Sequence, residues 1–303
     1  MGGISWTGVF PAATTQFDKN FKIDYDATRK VMSALIDDGV NGLIVCGSVG
    51  ENTALRAEEK REMLKLAKDV SKGRVPVVSG VAEYTTELAC EYARDAQKIG
   101  IDGLMAMPAM VYSAKPNEIV AHFSAVGAAS DLPIMLYNNP PAYGNDLVPE
   151  IVARLADVKT IVAIKESSGD TRRFVDLVNL TGDRFTLFCG LDDVVLEAIM
   201  LGAVGWVSGL SNVFPKESNE LFALARAGRF DEAMSIYRWF MPLLHLDARA
   251  DLVQCIKLCE SMAGRGSERT RPPRLALEGA DRRHVEDAMR KALASRPNLA
   301  KAA

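Results

Sequence analysis

The chain has 303 residues, 48% of them apolar and 25% charged, which is enough to bury a sizeable core. A formal charge of -3, with no basic stripe interleaved with aromatics, argues against nucleic acid as a partner. The longest apolar run, 194–210, contains Glu197 and several glycines and is too short to span a bilayer, so a soluble protein with no membrane partner is expected.

The first residues, "MGGISWTGVFPAATTQFD", have no basic segment followed by an apolar stretch, so no secretory leader is expected. Short β-rich runs then alternate with longer amphipathic segments. The candidate strands are 8–12, 42–46, 76–80, 103–107, 133–137, 160–165, 186–189 and 205–208. Helical patterns lie between them, such as "DYDATRKVMSALIDDG" and "RAEEKREMLKLAKDVSKG"; the second pairs charges at helical spacing and stops at a glycine. Strands that alternate with helices predict a parallel sheet covered on both faces, and eight strands close a (β/α)8 TIM barrel. A doubly wound open sheet would need a glycine-rich dinucleotide turn after an early strand, a spacing that "GSVGEN" lacks.

After Phe214 the alternation stops. Residues 215 to about 263 read as helices only, "GRGSERTRPPR" reads as a loop, and a last helix is predicted over about 281–294. The predicted division is therefore a barrel over 1–214, which carries the active site, and a helical extension over 215–303 packed on it. Five cysteines (Cys46, Cys90, Cys189, Cys255, Cys259) lack disulfide-framework spacing and fit a reducing cytoplasm. The Cys255/Cys259 pair, at i, i+4 spacing, reads as packing. The three histidines (His122, His245, His284) are scattered without ligand spacing, so neither a metal nor another cofactor is expected.

In such a barrel, chemistry collects where strands meet the loops that follow them. Lys165 ends the apolar run "TIVAI", where an unpaired ammonium would have a lowered pKa and its neutral amine would attack carbonyls. The alternative is a lysine paired with Glu51 or Glu166. Tyr137 ends the fifth strand in the same layer; it could carry a proton or simply cap the core. The turn Gly47, Ser48, Val49, Gly50, Glu51 offers small residues, a hydroxyl and backbone amides suited to a carboxylate or phosphate, or is an ordinary βα loop.

"GSVGE", "YNNP", "IKESSGD", "GLDD" and "GAVGWVSGLSN", in this order and spacing, resemble the dihydrodipicolinate synthase/N-acetylneuraminate lyase family of lysine Schiff-base barrels. The resemblance covers nearly the whole chain. It implies that Lys165 forms an imine with a 2-oxo acid, that Tyr137 shuttles protons, and that Ser48 and the Val49 amide hold the substrate carboxylate. It also implies a homodimer or homotetramer.

Three departures narrow the choice within the family. Ala142 stands where the synthases carry an arginine for the distal carboxylate of their aldehyde partner, and neighbouring Tyr143 cannot supply that charge. Val49 stands where threonine is common. The loop "MPAMVYSAKP" is longer than usual, so Tyr112 is either the counterpart of the tyrosine lent to a neighbouring subunit or a rim aromatic.

"DLVQCIKLCESMAGRGSERTRPPRLAL" resembles the Δ1-pyrroline-4-hydroxy-2-carboxylate deaminase branch. That branch implies attack of Lys165 on the cyclic imine, loss of the C4 hydroxyl, and release of ammonia and 2-oxoglutarate semialdehyde. Asn139, Tyr143, Ser167 and Ser208 are expected on the pocket wall. Arg269, Arg271 and Arg274 read as a solvated or interfacial loop rather than an anion site. The competing functions are a pyruvate-releasing aldolase, a 2-keto-3-deoxy sugar acid dehydratase or synthase-like enzyme, and a non-catalytic oxo-acid-binding barrel.

Overall fold

The computed structural model describes residues 6–108 and 110–299. Eight strands form one sheet: β1 (Gly8–Pro11), β2 (Leu43–Val45), β3 (Val77–Val81), β4 (Gly103–Ala106), β5 (Ile134–Asn138), β6 (Ile161–Glu166), β7 (Thr186–Cys189) and β8 (Gly205–Ser208). Each lies within a residue or two of its predicted run. All neighbours pair in parallel from β2 round to β8 and on to β1. A parallel bridge between Ala12 and Ile44 closes the remaining seam, where the Ala13 amide donates to the Ile44 carbonyl at 2.8 Å. The result is a TIM barrel, as the alternation of elements predicts.

Helices on the outside cover the sheet, and the strands are accordingly mostly apolar and almost wholly buried. Helix Tyr25–Asp37 starts on Asp24, whose carboxylate accepts from the Ala27 amide at 2.9 Å. Helix Ala57–Ser71 ends on Lys72 in the left-handed region (φ 49°), one residue before the glycine expected to stop it. The barrel interior is filled by side chains such as Phe10 and Phe188, whose rings meet edge to face at 5.4 Å.

Helix Pro215–Arg226 follows β8 and packs against β1. Helices Phe230–Leu244, Leu252–Met262 and Gly279–Ala294 complete the chain, with a 3-10 turn, His245–Ala248, between the first two. That turn packs against a second 3-10 turn, Asp192–Val194, just after β7. Among the described residues no helix is long and apolar enough to cross a membrane.

Candidate active site

Lys165 is buried near the C-terminal end of β6 and directed into a cavity of about 560 Å³ at the strand ends. In the parallel register Tyr137 on β5 stands opposite Lys165, and the amine lies 3.8 Å from the centroid of the phenol ring. Among the described residues no carboxylate comes within 4.0 Å of Nζ. Both acids weighed as its ion-pair partner are engaged elsewhere. Glu51 binds Lys257 at 2.9 Å, and Glu166 accepts from Asn138 at 2.9 Å and from the Ser168 amide at 2.6 Å. Burial therefore holds the Lys165 ammonium below its ordinary 10.5, partly offset by the Asp247 charge.

Packing fixes the lysine stem. Gly190, the residue after β7, lies so close that a Cβ there would sit 2.1 Å from Ser167 Oγ and 2.5 Å from Lys165 Cε. Only a glycine leaves room for the amine at this point of the wall.

Of the predicted residues, Gly47, Ser48, Val49, Tyr137, Asn139, Tyr143, Lys165 and Ser167 all line this cavity. The Asn139 amide donates to the Tyr137 hydroxyl at 2.9 Å, and the Ser48 and Tyr143 hydroxyls share a hydrogen bond. The two tyrosine rings meet edge to face at 5.7 Å. Burial pushes the Tyr137 phenol up to about 12, with the Asn139 contact pulling the other way. Among the described residues Ser167 Oγ has no hydrogen-bond partner.

Ser208 is the exception. It is fully buried and donates to Asp192 Oδ2 at 3.1 Å, away from the cavity wall. Asp192, of the "GLDD" motif, is a buried carboxylate that needs donors; the Trp206 indole (2.9 Å) and the Leu210 amide (2.7 Å) supply the others. Strand-end position alone could not separate this structural serine from a wall residue.

The turn that follows β2 is held from behind by the extension. Glu51 adopts a left-handed backbone (φ 58°), and its carboxylate accepts from Lys257 Nζ at 2.9 Å and from the Arg271 amide at 2.9 Å. Lys257 also donates to the Thr15 carbonyl at 2.8 Å, and Thr15 Oγ1 donates to the Gly50 carbonyl at 2.8 Å. These bonds hold the end of the turn on which Ser48 and Val49 line the cavity.

The arginine cluster departs in part from its predicted role. Arg271 is tied to Glu59 at 2.6 Å and to backbone carbonyls, but Arg274 lines the cavity with no ion-pair partner among the described residues. Asp247 and Arg249, also from the extension, complete the wall. None of these three was legible as a site residue; an acidic residue at the end of an apolar helix, "PLLHLDAR", was the available signal for Asp247. Tyr112 is 58% exposed and borders a separate groove with Tyr84 and His122 rather than the cavity of its own chain. Among the described residues no cluster of three or more His, Cys, Asp or Glu side chains could hold a metal ion.

Comparison with known proteins matches residues 5–292 to the dihydrodipicolinate synthetase family. The chain belongs to this family. Its members are lyases of the class I aldolase type. The chain is 30% identical over 280 residues to 4-hydroxy-tetrahydrodipicolinate synthase 2 of Halalkalibacterium halodurans, covering 92% of this chain and 95% of that one. It is 36% identical over 240 residues to a 4-hydroxy-tetrahydrodipicolinate synthase of Methanothrix thermoacetophila, covering 78% and 80%. The solved synthase of Methylacidiphilum fumariolicum superposes with a TM-score of 0.92 at 28% identity, covering 96% of this chain and 97% of that one. A prophage protein of the same family from E. coli K12, solved in complex with pyruvate, gives 0.90 at 27% identity, covering 96% and 99%.

Proposed function

We propose that this family member is a lysine Schiff-base lyase that converts Δ1-pyrroline-4-hydroxy-2-carboxylate into 2-oxoglutarate semialdehyde and ammonia. The observation that carries the Schiff-base chemistry is the Lys165 amine, without an ion-pair partner among the described residues, on the wall of a cavity that also holds the turn of Ser48 and Val49. A buried amine with a lowered pKa is a nucleophile near neutrality. Lys165 attacks C2 of the cyclic imine and opens the ring by exchange, while Ser48 and the Val49 amide bind the carboxylate. Tyr137, within reach of the amine, carries the C3 proton. The resulting enamine expels the C4 hydroxyl, and tautomerisation and hydrolysis release ammonia from C5 and the product from Lys165.

Two features support a substrate with a single carboxylate. Ala142 faces the cavity where the family resemblance expects an arginine, and the Val49 side chain leaves the turn with one hydroxyl, that of Ser48. In this reading residues 1–214 supply the nucleophile and the proton carrier, and residues 215–303 pack on the barrel and close the wall. We assign the working form as a homodimer or homotetramer. The five free cysteines support a reducing compartment, the cytoplasm.

A second reading has specific support. The relatives above are called synthases, and Arg274 on the cavity wall could grip the distal carboxylate of an aldehyde partner. The deciding experiment incubates the protein with the pyrroline, with 2-keto-3-deoxy acids, and with pyruvate plus aspartate semialdehyde, and then assays ammonia, pyruvate and semialdehyde. Ammonia released from the pyrroline is the expected outcome. Turnover confined to the condensation would replace the deaminase with the synthase. Absence of a borohydride-trapped mass adduct on Lys165 would overturn both.

A further inference from the structure

Asp247 stands on the 3-10 turn His245–Ala248, outside the eight strands, yet it lines the same cavity as Lys165. Its Oδ2 accepts from the Asp192 amide at 3.3 Å, just beyond β7. Its Oδ1 lies beside Gly209, just beyond β8, where a Cβ would approach it to 2.5 Å. The carboxyl is thus wedged against the ends of β7 and β8. Tyr137 approaches the amine from β5, the neighbour of β6 on the other side. A carbon chain held on Lys165 would have a phenol on one flank and a carboxyl on the other.

The two neighbouring acids differ in what remains free. Asp192 has three donors on its carboxylate and stands off the cavity wall. Asp247 Oδ1 has no hydrogen-bond donor among the described residues, and no ion pair within 4.0 Å engages the group.

We propose that Asp247 is the acid that protonates the departing C4 hydroxyl of the substrate held on Lys165. This rests on the function proposed above and adds the residue that makes hydroxide leave as water. In the step, the enamine electron pair forms the C3–C4 double bond and restores the iminium on Lys165. The C4–O bond breaks, the Asp247 proton goes to that oxygen, and water departs. The carboxylate is then reprotonated from water at the cavity mouth, and nothing is oxidised or reduced. Burial pushes the carboxyl up to about 6, against the pull of the Lys165 charge, so a protonated fraction persists near neutrality.

The test uses the full chain, wild type and Asp247→Asn, with three probes. Deuterium exchange at C3 of pyruvate, followed by NMR, reports imine formation and C3 proton transfer without any C4 elimination. Ammonia release from the 4-hydroxy pyrroline reports the elimination. Ammonia release from its 4-chloro analogue, corrected for the uncatalysed rate, reports the same path with a leaving group that needs no proton. The expected result is an Asn variant with exchange within about threefold of wild type, hydroxyl elimination slowed roughly 100-fold or more, and elimination of chloride restored to within about tenfold. An Asn variant that eliminates hydroxide at the wild-type rate overturns the role of Asp247 and leaves the deaminase standing. Equal losses with both leaving groups, or loss of exchange as well, overturn it in favour of a structural role. A wild-type protein that exchanges pyruvate but releases no ammonia overturns the deaminase reading itself, and the role of Asp247 with it.

Discussion

Tyr137 and Lys165 face each other across the β5–β6 ladder, with the amine 3.8 Å from the ring centroid and no carboxylate at ion-pair distance among the described residues. A phenol ring attracts the ammonium weakly but cannot neutralise it as a carboxylate would. The amine therefore remains available for attack. Lys165→Ala should abolish turnover and borohydride trapping together. Lys165→Arg, which keeps the charge but never deprotonates, should do the same. Wild-type turnover in either variant would remove the nucleophile from the scheme.

Removing the Tyr137 hydroxyl separates proton transfer from imine formation. In Tyr137→Phe the ring beside Lys165 is kept and the Asn139 contact is lost. Borohydride trapping should persist, while deuterium exchange at C3 of pyruvate falls roughly 100-fold or more, the usual contribution of a positioned acid–base group. Unchanged exchange would assign the proton to another group.

Arg274 brings to the cavity wall a guanidinium with no ion-pair partner among the described residues, so its contribution should be to binding. Arg274→Met keeps much of the stem and removes the charge. A rise in KM of about tenfold, worth about 1.4 kcal/mol, is expected with kcat within about twofold. Unaltered KM would return this arginine to the solvated loop that its sequence context suggests.

Gly190→Ala tests how tightly the wall holds the nucleophile. The added methyl carbon would overlap Ser167 Oγ at 2.1 Å and the Lys165 stem at 2.5 Å. Both the melting temperature and kcat should fall, the former by the equivalent of about 1–3 kcal/mol of overpacking. An alanine variant as stable and as active as wild type would mean that the stem has another place to go.

The pH dependence of stability should carry the mark of Glu260. The single Thr14 hydroxyl donates to this buried carboxyl, 2.8 Å from one oxygen and 3.1 Å from the other, and burial pushes the carboxyl up to about 7 from an ordinary 4.5. Between those values the folded chain holds a proton that the unfolded chain has lost, so this group's stabilisation fades as pH rises through the window. Glu260→Gln keeps an oxygen for Thr14 and removes the titration. Its urea midpoint should change less than that of wild type between about pH 5 and about pH 8 and should be the higher of the two at the alkaline end. Parallel pH curves for the two proteins would reject this.

The strands were legible because a parallel strand covered on both faces is largely apolar along its length, as "TIVAIK" and "PVVSG" are. Lys165 stood out against that background as a charge with no packing reason to be there. Asp247 and Arg274 did not, because the turn and the loop that carry them have no periodicity and reach the cavity only through tertiary contacts, such as the bond between residues 192 and 247. Ser208 departs from its expected place on the pocket wall for a related reason. The need of Asp192 for donors turned its hydroxyl away from the cavity, and nothing local to β8 records that need.

The buried pair of Glu51 and Lys257 joins the turn after the second strand to a helix near the end of the chain. A ribosome-bound polypeptide with all eight strands already emerged would still lack the lysine that holds that turn. Activity should therefore appear late in synthesis, only after residues 252–271 have left the exit tunnel and docked. Premature termination upstream of that point would leave a barrel that cannot grip its substrate.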